Sequence, residues 1–149
     1  MTDDLSLNGN GFKVTDRVHQ VLSQLSGRGE NQALTAPQAP FKTIKDAFLM
    51  AVYLEAMDPH PRPLEGKTVE VFKGTTLQPA GQDFLRSIAV GYSGGIEILS
   101  EPSKVAKLSE ELANAGAMKL ESIAAGDEEK LWNMTDFFLR EFEDKEPVS

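Results

Sequence analysis

Apolar residues recur along most of this chain at helical spacing and along one stretch in alternation. Val18, Val21, Leu22 and Leu25 stand at i, i+3, i+4 and i+7. That is one apolar face over two turns, which predicts a short amphipathic helix. Thr15 precedes it as an N-cap, and Asp16 suits the positive end of the macrodipole. Gly27 and Gly29 end it, and a long Gly-, Asn- and Pro-containing loop follows from Ser26 to Pro40. From Thr43 to Met57 the chain is apolar almost without a break. A helix apolar on all sides belongs inside a protein. This segment is therefore expected to be the buried spine of the fold, with Phe48 and Val52 in the core. Thr43 followed by Asp46 resembles a capping box in which Asp replaces the usual Glu or Gln.

The pattern continues through clear punctuation. Pro59, Pro61 and Pro63 stop the spine helix, since proline lacks the N–H and clashes with the preceding turn. Lys67 to Phe72 alternates and is β-branched, predicting a strand with Val69 and Val71 on one side. Phe12–Val14 predicts a second short strand. Pro79 opens a third helix carrying Phe84, Leu85, Ile88 and Ala89 on one face, stopped by Gly91, Gly94 and Gly95. Ile96–Leu99 reads as a short strand or an extended piece. Ser103 is placed to cap a fourth helix bearing Val105, Leu108 and Leu112. That helix either runs past Gly116 through Leu120 and Ile123 or kinks there, and it ends at Gly126. Asp127-Glu128-Glu129 begins a last helix with Leu131, Met134, Phe138 and Phe142 at helical spacing.

The expected architecture is α+β and mainly helical, with about five helices and two short strands in one compact domain. Residues 1–11, which include Asn8-Gly9-Asn10-Gly11, read as a disordered leader. Residues 12–143 form the globular domain and 144–149 a polar tail.

Length and composition narrow the function. A chain of 149 residues with 40% hydrophobic content can bury roughly 70% of its unfolded surface, so its core needs no staple. It contains no cysteine, which removes disulfides, thiolate metal sites and cysteine nucleophiles. No apolar run approaches the roughly 20 residues of a membrane span. The acidic start, Met1-Thr2-Asp3-Asp4, does not read as a signal peptide, and the default compartment is the cytoplasm.

The net charge of −8 is unevenly spread: zero over residues 1–50, −2 over 51–100 and −6 over 101–149. A nucleic-acid-coating protein would show a basic face. Any DNA contact is therefore expected from a local cluster in the first half. Lys42, Thr43 and Lys45 form such a cluster at the start of the spine helix, where free N–H groups and partial positive charge suit a phosphate. The acidic face of the last helix (Glu129, Asp136, Glu141, Glu143, Asp144) would be repelled by phosphate. It is expected to dock a basic surface on a partner protein or to serve solubility.

Nothing in the chain points to catalysis. His19 and His60 lack a second ligand at metal spacing, and no metal or cofactor is expected. The serines lack a G-x-S-x-G context. Gly91-Tyr92-Ser93-Gly94-Gly95 lacks the Lys-Ser/Thr of a phosphate loop and reads as a helix C-cap. The order strand (Phe12–Val14), helix (Asp16–Leu25), helix (Ile44–Met57) echoes a ribbon–helix–helix DNA-binding module, which dimerises through its strand. Here the strand carries only Lys13, and the linker between the helices is far longer than in that module.

The run Phe41-Lys42-Thr43-Ile44-Lys45-Asp46-Ala47-Phe48-Leu49-Met50-Ala51-Val52, followed by Pro63-Leu64-Glu65, resembles a small bacterial family of accessory proteins found with DNA phosphorothioation (Dnd) systems. Ile88-Ala89-Val90 and Glu111-Leu112-Ala113-Asn114-Ala115-Gly116 also resemble its pattern. The matching pieces fall within residues 41–125. The longer N-terminal part and the Ser26–Pro40 loop depart from it. The resemblance implies a role beside machinery that puts sulfur into the DNA backbone or uses that mark to restrict phage DNA. It supplies no catalytic residues. The expected function is thus a non-enzymatic accessory protein of such a DNA-modification and phage-defence system, acting through a protein partner with local DNA-backbone contact. The alternative is a dimeric strand–helix–helix DNA-binding transcriptional regulator.

Overall fold

The computed structural model describes residues 6–26 and 41–126. In chain order the elements are β1 (Gly11–Thr15), α1 (Asp16–Leu25), α2 (Ile44–Ala56), β2 (Thr68–Lys73), α3 (Gln78–Ser93) and α4 (Pro102–Gly126), with 3₁₀ turns at Gly74–Leu77 and Ile96–Ser100. The fold is α+β and mainly helical, in one compact domain. Among the described residues there are four α-helices and a two-stranded antiparallel sheet, where the sequence reading expects about five helices. The fifth expected helix, from Asp127, lies outside the described residues.

α2 is the spine. Ile44, Ala47, Phe48, Leu49, Met50, Ala51, Val52, Leu54 and Glu55 are all buried, and Phe48 and Val52 are 0% exposed. α4 crosses it at close range. A Cβ on Gly116 would collide with the Ala51 carbonyl oxygen, and the neighbouring contact positions are small: Ala47, Ala51, Ala113 and Ala117 are each 0% exposed. The sequence leaves open whether Gly116 kinks α4. It does not, because this glycine serves close backbone approach, and α4 runs unbroken over 25 residues.

The sheet packs against α2 and α4. Phe12 pairs with Phe72, Val14 with Val69 and Thr15 with Thr68, with a register shift between Phe12 and Lys13. The Phe12 and Phe72 rings stack at 5.0 Å. The Phe48 ring meets them edge-on at 5.8 and 5.0 Å. Two rings from the strands and one from α2 thus make a three-ring aromatic cluster, an arrangement worth about 0.5–1.5 kcal/mol per pair beyond area burial.

Three local expectations need correction. Residues 6–11 are not a disordered leader. Leu7 is 0% exposed, its N–H donates to Gln82 Oε1 at 2.9 Å, and Gly74 has no room for a Cβ against the Leu7 carbonyl. Ile96–Leu99 is not extended. It forms a 3₁₀ turn with no buried residue, since it has no strand to pair with. α4 starts at Pro102, ahead of the expected Ser103 cap. The Glu101 carbonyl accepts from the N–H groups of Lys104 and Val105 at 2.9 and 3.3 Å, and proline is pre-shaped for a first helical position.

Candidate functional site

The expected phosphate cluster sits where the sequence reading puts it, at the start of α2. Thr43 is the N-cap, and its hydroxyl accepts the Asp46 N–H at 3.2 Å. Lys42 is exposed. The Lys45 ammonium lies 3.4 Å from Asp46 Oδ1. The cap therefore satisfies one first-turn donor, and the Asp46 carboxylate already provides negative charge there. Lys42 and a shared Lys45 remain to meet an anion. The five acidic residues expected to bind a partner (Glu129, Asp136, Glu141, Glu143 and Asp144) lie outside the described residues.

The strand that would dimerise a ribbon–helix–helix module is engaged within the chain. One edge of β1 pairs with β2. The Lys13 N–H is accepted by Glu110 Oε2 of α4 at 2.8 Å. Phe12 and Val14 are each 0% exposed. Burial raises the Glu110 carboxyl above its ordinary value of 4.5, outweighing the Lys13 N–H and ammonium, which pull it down.

The two histidines lie in different parts of the chain, and the His60 ring is 4.0 Å from Glu55 Oε2. His19 is half-buried on α1, and His60 is exposed. The Gly91–Gly95 turn caps α3 as expected. Gly94 takes φ 86°, and its N–H returns to the Val90 carbonyl.

Sequence reasoning missed the buried polar side chains. Glu55, 2% exposed, accepts the His60 N–H at Oε2 at 2.9 Å. Its Oε1 lies 3.1 Å from the Lys119 ammonium, an ion pair without hydrogen-bond alignment. Asn114 donates through Nδ2 to the Arg62 and Pro63 carbonyls at 3.0 and 3.2 Å. The Arg62 N–H donates to the Glu111 carbonyl at 3.1 Å. Together they fasten the proline-rich segment to α2 and α4. The available signal was a lone carboxylate at the end of an apolar helix, just before three prolines. Its partners are not readable from local sequence.

Among the described residues, two clefts lined largely by polar and charged residues open on the surface. One, of about 570 Å³, lies at the start of α3. Its buried Gln82 is fully engaged, donating to Asn8 Oδ1 at 2.7 Å and the Gly74 carbonyl at 3.1 Å and accepting from Leu7 N–H and Arg86. Gln78 on its edge holds φ 64° and ψ 163°, a region that is essentially glycine's. The other, of about 520 Å³, lies between the start of α1, the segment before β2, and α4.

Neither a protein-family model, nor a curated protein, nor a solved structure matches this chain.

Proposed function

We propose that this chain is a non-enzymatic accessory protein of a bacterial DNA-modification system of the phosphorothioation kind. It would act by binding a protein partner and touching the DNA backbone through Lys42, Thr43 and Lys45. The observation that carries this reading is the contiguity of the residues behind the resemblance. Phe41–Val52 forms the start and body of α2. Glu111–Gly116 lies on α4, where Gly116 meets the Ala51 backbone. Pro63 is held to α4 by Asn114, and Ala89 of α3 is 1% exposed. Scattered fragments with no common origin need not pack on one another, whereas segments of one structural unit do. A scaffold role fits the deep polar side chains as well: Glu55, Gln82 and Asn114 each hold a backbone group in place.

The competing regulator reading requires a free β1, and here β1 is taken up by β2 and Glu110. That geometry favours the accessory reading.

Two measurements test the proposal. Affinity capture from the native bacterium should retain proteins of sulfur insertion or of the matching restriction. Capture of none of these would overturn the partner reading. Binding to a DNA duplex should weaken steeply with salt, because Lys–phosphate contacts release counterions. Lys42→Glu with Lys45→Glu should abolish it at unchanged melting temperature. Equal affinity of wild type and variant would remove this cluster as the DNA contact.

A further inference from the structure

The cleft of about 520 Å³ beside the start of α1 collects charged and amide groups from three parts of the chain. Arg62 and Lys67 line it from the segment before β2, and among the described residues neither side chain has an ion-pair or hydrogen-bond partner. Arg17 lines it from α1 and is held by a two-pronged contact to Glu121 at 2.9 and 3.2 Å. The wall from α4 is Asn114, only 8% exposed. Its Nδ2 is engaged by two carbonyls, which fixes the orientation of the amide. Among the described residues its Oδ1 accepts no hydrogen bond, and Glu55 Oε1 is the one described side-chain atom both sealed from solvent and lacking a hydrogen bond. Asn114 Oδ1 is therefore not sealed from solvent, and Asn114 lines the cleft. A buried amide held rigidly by its donors, with its acceptor open, is a pre-set recognition point.

The charges say what would fit. Arg62 and Lys67 call for an anionic group, and guanidinium and ammonium together suit a phosphate. Asn114 Oδ1 and the carboxylates of Asp16 and Glu65, which also line the cleft, accept hydrogen bonds and repel anions. They call for hydroxyl or amino donors on the same ligand. A bare phosphate meets only the first demand. A nucleotide meets both, with phosphate at one end and sugar and base donors at the other. The cleft lies within the size range of small-ligand sites, about 300–1,000 Å³.

We infer that this cleft binds a nucleotide unit, its phosphate at Arg62 and Lys67 and a donor group at Asn114 Oδ1. The unit comes either as a free nucleotide or as part of a DNA strand. The site is separate from Lys42 and Lys45. The Phe41 N–H bonds the Leu25 carbonyl, so that cluster lies near the C-terminal end of α1. The cleft lies at the N-terminal end, about 15 Å away along a ten-residue helix. The inference stands independently of the accessory reading.

The test is a ¹H–¹⁵N titration of the full chain with deoxyadenosine monophosphate, with a twelve-base single strand, and with inorganic phosphate. Shifts should centre on Thr15–Arg17, Arg62–Lys67 and Asn114. Deoxyadenosine monophosphate should bind more tightly than inorganic phosphate. Read at these cleft residues in the Lys42→Gln, Lys45→Gln background, tighter binding of the strand than of the mononucleotide identifies DNA as the source, and the reverse identifies the free nucleotide. Arg62→Gln with Lys67→Gln should weaken binding about tenfold or more, since two charge-assisted contacts are lost, at unchanged melting temperature. Lys42→Gln with Lys45→Gln should leave the mononucleotide-induced shifts at Arg62–Lys67 and Asn114 intact. Four results would each overturn the inference: no binding of nucleotide or strand at millimolar concentration, shifts centred elsewhere, inorganic phosphate binding as tightly as the nucleotide, or equal affinity in the Arg62/Lys67 variant.

Discussion

Gly116 shows how much one hydrogen atom can decide. In a helix interior alanine is favoured over glycine by about 1 kcal/mol. Against that gain, a Cβ here would strike the Ala51 backbone oxygen, and backbone cannot swing aside as a side chain can. Overpacking of this kind costs about 1–3 kcal/mol, so the clash outweighs the propensity. Gly116→Ala should lower the urea midpoint, and a midpoint at or above wild type would show that α2 and α4 separate easily. Glu110 is the other informative residue. Its folded carboxyl holds a proton more tightly than the unfolded one. Between its ordinary value and its raised folded value, the folded state therefore binds more protons, and stability falls as pH rises through that window. Glu110→Gln removes the charge, while its amide oxygen still accepts from the Lys13 N–H. Urea melts should find the variant at least as stable as wild type at pH 7, with the gap closing as pH falls to about 4.5, near the ordinary carboxylate range. A variant weaker than wild type at pH 7 but equal to it at pH 4 would mean that the charge itself holds β1.

Among the elements, α2 and α4 do most of the structural work, and their ends are handled differently. α2 starts on a side-chain cap, the Thr43 hydroxyl receiving the Asp46 N–H. α4 starts on Pro102 and the Glu101 carbonyl, with the Glu101 side chain tied to Lys104 at 3.2 Å. Thr43→Ala should cost about 1 kcal/mol, the usual worth of an N-cap. Far-UV thermal melts can measure it, and an unchanged melting temperature would mean that tertiary burial alone positions the helix start. Most of the signals that set these helices lie within a few residues: the Thr43 and Thr15 caps, the Gly94 turn, the Pro59–Pro63 break. They were legible for that reason. Gln82, Asn114 and Glu110 were not. Gln82 serves Leu7, 75 residues away. Asn114 serves Arg62, 52 away. Glu110 serves Lys13, 97 away. Nothing local marks a side chain whose partner is chosen by the fold.

At the scale of the molecule, β1 closes one side of the domain from within. Its amides should exchange slowly with solvent, at rates independent of protein concentration, because β2 and Glu110 belong to the same chain. Hydrogen exchange at two concentrations tenfold apart checks this. Protection of Phe12–Val14 that grows with concentration would point to strand-mediated dimers. Among the described residues no helix is long and apolar enough to cross a membrane. The candidate phosphate cluster and the polar cleft lie toward opposite ends of α1. One was visible as adjacent lysines at a helix start. The other is assembled from Arg17, Arg62, Lys67 and Asn114, which only folding brings together.

The sequence alone determined the buried spine, the first three helices and the pairing-competent strands. Period, caps and breakers act over a turn or two and need no tertiary partner. Tertiary structure decided the rest. It drew Leu7 into the core, carried α4 straight through Gly116, and turned Ile96–Ser100 into a 3₁₀ segment for want of a strand to pair with. It also oriented Asn114 so that its amide donors hold the Arg62 and Pro63 carbonyls beside a cleft. These outcomes depend on contacts between residues far apart in the chain, where the free energy of a position is set by what packs against it and not by its neighbours in sequence.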